Sequence, residues 1–271
     1  MGKGRPFVEV LSSALHEDYR FPILEIFAFL YTLGTFVFAR FGTALSPQNL
    51  PGETVAYILS ASLLGLPLFI FIILIFKNIA YGLGSDLEKG IIQAYFSYPL
   101  KRYGILMAKL FSALGIALIL FLSIQISALY VLAPDIVSQY LSTVLLTYAA
   151  TLSSSFLTAG IILLVTLALK RGGLALVVGI VLFFGMSIVG NIAMFAASST
   201  GSPLALQIMS VISPNFVLSR YYYVTQPYVP LPSDLWLPTF SEVLLYTGAS
   251  YVIVASLFFL GYLYFSRRLD L

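Results

Sequence analysis

Long unbroken apolar runs divided by short polar stretches set the pattern of this chain. The runs cover residues 22–41, 54–79, 105–133, 139–169, 174–197 and 243–265. None alternates apolar with polar positions as a barrel strand does, so each predicts a helix buried on all faces. A helical crossing of a bilayer needs about 20 mostly apolar residues. The longer runs predict tilt, or ends that reach into water. The expected fold is an all-α integral membrane protein with six transmembrane helices, in a single membrane domain over residues 1–271.

Three stretches outside the spans carry their own pattern. In residues 1–20, Phe7, Val10, Leu11, Ala14 and Leu15 recur at helical spacing among Glu9, Ser12, Ser13 and His16. This predicts an amphipathic helix lying in the membrane plane. Residues 198–241 begin at a Ser/Thr/Gly turn, continue with Leu204, Ile208, Val211 and Ile212 on one stripe, and end rich in proline. They predict half-embedded or re-entrant helices between spans 5 and 6, with Tyr221–Tyr223, Tyr228 and Trp236 as an aromatic belt at the headgroups.

The third stretch, Ala80–Leu110, is the largest charged island. Small residues end the second span, and Ser85 with Glu88 forms an S-x-x-E capping box. A helix over residues 85–98 follows, stopped by Pro99. Its middle is apolar (Ile91, Ile92, Ala94, Tyr95, Phe96) and its ends are charged. Patterning leaves two readings open, a surface that docks another protein and an interfacial linker.

Composition makes lipid the solvent. Of the 271 residues 60% are hydrophobic and 9% charged, and mean hydropathy is +0.99, against about 25% charged in a soluble domain. Cysteine is absent, which excludes disulfides and thiolate chemistry. The N-terminal stretch lacks the apolar core and cleavage site of a secretory signal. With the N-terminus placed inside, twelve Lys and Arg residues fall on the inner side and only Arg40 and Arg220 on the outer. The positive-inside rule therefore predicts both termini in the cytoplasm, in a multi-pass plasma-membrane protein.

Candidate chemistry is sparse. There is no phosphate-binding G-x-x-x-x-G-K-[ST] loop. His16 has no second ligand nearby, so it reads as a polar-face residue. The hydroxyls of Thr151, Ser153–Ser155 and Thr158 have no base beside them and read as packing contacts. Glu25 and Lys109 lie a turn inside their spans, where both can snorkel to the interface. Asn191 is the strongly polar side chain of the fifth span. No catalytic residue, cofactor site or metal site is expected in this chain.

The order Glu88-Lys89-Gly90, a short apolar helix, Pro99, Arg102 and Lys109 resembles the ABC-2 type permease family, the membrane subunits of many ABC exporters. Ser213-Pro214-Asn215-Phe216 with Arg220 is similar to that family's N-P-x-x-Y…R segment. The chain departs from the pattern at Tyr98, inserted between Ser97 and Pro99, at Ile91 in place of Thr, and at Ala94-Tyr95 in place of leucines. The resemblance implies a permease subunit, not an enzyme, that forms the substrate pathway with a second permease as homodimer or heterodimer. Two separate ABC ATPase subunits would carry ATP and Mg. Asp86, Glu88, Lys89, Gly90, Pro99 and Arg102 would belong to the coupling helix that meets the ATPase. Phe69, Phe183, Phe184, Met186 and Asn191 are candidate pathway residues, suited to an amphipathic, lipid-like or drug-like solute; peptides and glycans are also carried in the family. Membrane lipid is an expected partner and nucleic acid is not. The alternatives are a membrane-embedded enzyme and an ion-coupled carrier.

Overall fold

The computed structural model describes residues 5–44, 50–96, 100–222 and 235–267, and these are helical without a strand. The helices are α1 (Arg5–Asp18), α2 (Ile23–Ala44), α3 (Gly52–Glu88), α4 (Ile91–Tyr95), α5 (Arg102–Leu132) and α6 (Pro134–Gln139). They continue with α7 (Leu141–Leu169), α8 (Gly172–Thr200), α9 (Leu204–Ile212), α10 (Pro214–Tyr221) and α11 (Phe240–Arg267). Five of them (α3, α5, α7, α8 and α11) are long and apolar enough to cross a membrane. A sixth crossing results if α1 and α2, bent by 64° to one another, are taken together.

Helix α7 is the centre, with α3 and α11 packed on it. Around it a chain of rings, Tyr31–Phe121 at 5.8 Å, Phe121–Phe71 at 5.4 Å and Phe71–Phe156 at 6.4 Å, fills the space between α2, α3, α5 and α7. Several hydroxyls of α7 turn back onto its own backbone. Ser153 donates to the Ala150 carbonyl, Ser154 to Thr151 and Thr158 to Ser154, each within 3 Å. Ser153, Ser154 and Thr158 are thus satisfied within their own helix, whereas the buried hydroxyls of Thr151 and Ser155 find no hydrogen-bond partner among the described residues. Small residues let helices close on one another in lipid, where burial of apolar surface no longer drives association. At Gly160 an added Cβ would stand 2.9 Å from the Cβ of Leu257 on α11.

Helix α1 forms where its apolar spacing predicts. Val10 is buried against Ile105 and Ala108 of α5 and Ala14 is buried one turn on, while Glu9, Ser12, Ser13 and His16 face outward. The expected break after the second span is absent. Helix α3 runs through to Glu88, with a π-helical stretch at Phe76–Leu83, so Ser85 is an interior position and no capping box forms. The small residues there serve packing instead, because a Cβ at Gly84 would lie 2.7 Å from the Cα of Gly172. The chain turns five residues later, at Lys89 and Gly90, and Gly90 takes φ 71°, a left-handed conformation that favours glycine. The helix expected over 85–98 is therefore the end of α3, a bend, and the short α4. Its expected stop, Pro99, lies outside the described residues.

At the opposite end, Pro134 starts the short helix α6. Between α8 and α11 the chain forms α9 and α10. The aromatic belt expected there is partly an interior. Tyr222 and Trp236 are buried, Tyr222 stacked on Tyr57 at 5.1 Å and Trp236 edge-on to Tyr246 at 5.9 Å. Each ring finds a ring partner inside the bundle, which explains why it leaves the surface. Tyr223, Tyr228 and the prolines at 227, 230 and 232 lie outside the described residues.

Candidate functional site

The end of the bundle that carries α1 and the close of α11 holds a buried polar cluster. Three elements build it: the last turn of α1, the π-helical stretch of α3 with the residues after it, and the first half of α5. Lys109 of α5 is 6% exposed and its Nζ lies 2.6 Å from Asp86 Oδ2, itself on a residue 2% exposed. The same ammonium donates to Glu17 Oε2 at 2.8 Å. One cation thereby ties α1 to the far end of α3.

A second layer lies deeper. Ser112 donates to Asp18 Oδ2 at 2.5 Å, and Lys77 donates to the Asp18 carbonyl and, at 2.8 Å, to Asn78 Oδ1. Asn78 Nδ2 donates to the Tyr19 hydroxyl at 3.2 Å and to the Ala113 carbonyl at 3.3 Å. Tyr19 in turn donates to the Ser112 carbonyl at 3.1 Å. These carbonyls come from a second π-helical stretch, Phe111–Ile116 of α5. Widened π turns free backbone carbonyls from the regular ladder, and here the freed groups accept from side chains of neighbouring helices. Among Asp18, Asn78, Gly82, Asp86 and Lys109 sits a void of about 10 Å³, room for one water.

Asp18, the last residue of α1, is the titrating member. Burial pushes its carboxyl up from 3.8 to about 6, while the Ser112 hydrogen bond, Lys109 and Lys77 pull it down and Glu17 pushes it up again.

The residues expected at a coupling helix divide in two. Asp86 points into the bundle and is locked there. Glu88 is exposed and its Oε2 accepts from the Gly172 N–H at 3.1 Å, where its charge also suits the N-terminus of α8. Lys89 is exposed, and Gly90 is the bend. Arg102 is exposed with its guanidinium 4.8 Å from the Phe96 ring. A shallow concavity of about 1000 Å³ runs along the polar face of α1, past Glu9, Ser13, His16, Glu17 and Arg20. Lys109, placed by sequence as a snorkelling residue, is instead held by two carboxylates.

The expected pathway residues lie mostly on outward faces. Phe69 of α3 is 44% exposed and Phe184 of α8 is 56% exposed. Asn191 is exposed, Met186 is half-buried, and Phe183 packs edge-on to Phe76 at 6.1 Å. Phe71, by contrast, is fully buried in the ring chain.

A further polar group stands in the middle of the bundle. Gln125 of α5 is fully buried; its Nε2 donates to Thr35 of α2 at 2.7 Å and its Oε1 accepts from Tyr148 of α7 at 2.8 Å. Its only mark in the sequence is one amide inside an apolar run. Asp18, Lys77, Asn78 and Ser112 have no motif at all; only their place at span ends sets them apart. Compared with known proteins, the chain matches no family model and no curated protein.

Proposed function

We propose that this chain is the permease subunit of an ATP-driven exporter of the ABC-2 type. In this reading it crosses the membrane six times with both termini in the cytoplasm, and a second permease completes the pathway. Two separate ATPase subunits dock at the end that carries α1 and the α3–α4 bend. One observation supports the reading most: the Glu17–Lys109–Asp86 lock. It joins α1, the end of α3 and the start of α5 into one unit, so a push on the exposed bend at Glu88–Gly90 is passed to two long helices instead of being absorbed by a loose loop. Asn191 fits as well, since an exposed amide on an apolar helix lacks a partner in lipid and is favoured facing a second subunit or a wet pathway. The solute would be amphipathic, since no ring of charge suited to a small ion lines the bundle among the described residues.

The test is biochemical. The tagged chain, purified in mild detergent from its native membrane, is expected to bring down an ATPase that has Walker motifs and no spans. Lys89→Glu is then expected to lower ATP turnover of the complex by about tenfold or more while thermal melting of the permease stays unchanged, and Gly90→Pro, which cannot take φ 71°, to lower both turnover and melting. Full turnover in both variants, or no such ATPase in the purified material, overturns the reading.

A further inference from the structure

The opposite end of the bundle holds two adjoining cavities that the proposed coupling does not use. The larger, about 530 Å³, lies among the starts of α3, α7 and α11 and the end of α10, and is lined by Glu53, Thr143, Leu146, Ala149, Tyr222 and Leu244 among others. The smaller, about 270 Å³, is lined by Glu53, Thr54, Arg220, Tyr221, Tyr222 and Leu237 among others. Glu53, Tyr221 and Tyr222 line both, so one set of side chains serves the two cavities as a single site. Its combined size suits a small amphiphile.

The chemistry of the walls is divided along that site. One side is aliphatic and opens outward at the flank of the bundle, where Leu145 is 60% exposed and Leu244 is 49% exposed. The other side is a corner of aromatic rings with a carboxylate. Tyr221 and Tyr222 meet at 4.9 Å and 74°, Phe240 flanks Tyr221 at 6.0 Å, and Tyr57 backs Tyr222. Thr143 accepts the Tyr222 hydroxyl at 3.2 Å and fixes its ring. Glu53, an exposed residue, lines both cavities together with that ring; burial holds the Tyr222 hydroxyl above its ordinary pKa, the Thr143 hydrogen bond lowers it, and the Glu53 carboxylate raises it. An anionic carboxylate beside ring faces attracts ammonium groups by charge and by the ring quadrupole together. Arg220 is the opposing charge, but it lines only the smaller cavity and its Nη2 already donates to the Trp236 carbonyl at 2.8 Å.

We infer that this site binds an amphiphile with an ammonium headgroup, the headgroup against Glu53, Tyr221 and Tyr222 and the chain along Leu145, Leu146, Ala149 and Leu244. The site stands independently of the permease reading, since it needs neither a second subunit nor an ATPase. Two sources carry this chemistry: an amine-headed phospholipid of the bilayer, and a soluble cationic amphiphile.

Native mass spectrometry of the intact chain, released from detergent, distinguishes them. Phosphatidylethanolamine and phosphatidylglycerol of matched chains are titrated separately, and decylammonium is then added to the lipid-bound protein. One phosphatidylethanolamine is expected to bind about tenfold more tightly than phosphatidylglycerol. Glu53→Gln is expected to bring the two to parity, and Ala149→Phe, which fills the larger cavity, to remove the tight binding, both with unchanged melting. Displacement by decylammonium identifies a site open to soluble amphiphiles; resistance to it identifies a resident lipid. Equal or tighter binding of the anionic lipid by the wild-type chain overturns the inference, as does a headgroup preference that survives Glu53→Gln.

Discussion

Two buried polar clusters hold this bundle together, and they are built from different materials. At the end carrying α1, Glu17, Asp18, Lys77, Asp86 and Lys109 are ionisable; in the middle, Thr35, Gln125 and Tyr148 are neutral. Each ties three helices, and α5 contributes to both through Lys109 and Gln125. The difference follows the solvent. At the end, the Glu17 side chain is 46% exposed, so part of the charge keeps its water. In the hydrocarbon no water is at hand, and the same cross-bracing is done with an amide and hydroxyls whose desolvation costs far less.

The comparison predicts that the charged cluster is the more brittle. Lys109→Ala leaves Asp86 and Glu17 facing each other without their shared cation, and removing one partner of a buried pair costs about 3–5 kcal/mol. Unfolding in mixed micelles should register that loss. Exchanging both partners for apolar or neutral groups, Asp86→Asn with Lys109→Met, should recover most of it, because the unpaired charge is gone. A loss below about 1 kcal/mol in Lys109→Ala would place the pair among ordinary exposed ion pairs and dissolve the contrast.

The contrast was only half legible in the sequence. Continuous apolar runs located the long helices, and the spacing of Val10 and Ala14 located α1 and its buried face. The runs could not rank the helices. Helices α7 and α8 are both 29 residues long, with mean hydropathies of 2.1 and 2.5, yet 61% of the apolar stretch of α7 is buried and 18% of that of α8. When lipid and protein interior are equally apolar, hydropathy carries no inside and outside. The buried residues of α7 are instead marked by Thr and Ser, among them Thr143, Thr147, Ser153 and Thr166. Gly84 misled for a related reason: a residue that weakens an isolated helix here lets α3 touch Gly172. The cluster partners of Lys109 escaped because Glu17 and Asp86 are 69 residues apart in the chain and only the fold brings them together.

Titration sharpens the charged side of the comparison. The Asp18 carboxyl, raised by burial to about 6 from an ordinary 3.8, binds its proton more tightly in the fold than in the unfolded chain. Its contribution to stability is therefore complete below about pH 4 and is lost as pH rises through about 6, up to a ceiling of about 3 kcal/mol. Glu17, Lys77 and Lys109 face it, so the effect is isolated by difference. Wild-type melting relative to Asp18→Asn should fall between pH 4 and pH 6.5, with the two curves parallel above and below that window. Parallel curves throughout would mean that Asp18 is ionised at no cost.

The neutral cluster should yield the smallest effect. Gln125→Leu removes two hydrogen bonds, but the unfolded chain in a membrane or micelle also finds partners for an amide, and such contacts average about 0.6 kcal/mol with a maximum near 1.7. Leucine returns part of this through packing, so a net loss of about 1 kcal/mol is expected. Thr35→Val and Tyr148→Phe each remove one bond and leave one Gln125 atom unpaired, so each should cost as much as losing the glutamine itself. The double variant Thr35→Val with Gln125→Leu should then cost less than the sum of the two singles. Strict additivity would show that Gln125 acts alone rather than as the pin between α2, α5 and α7. A loss above about 3 kcal/mol would show that neutral groups in the hydrocarbon are as unforgiving as charges at its edge.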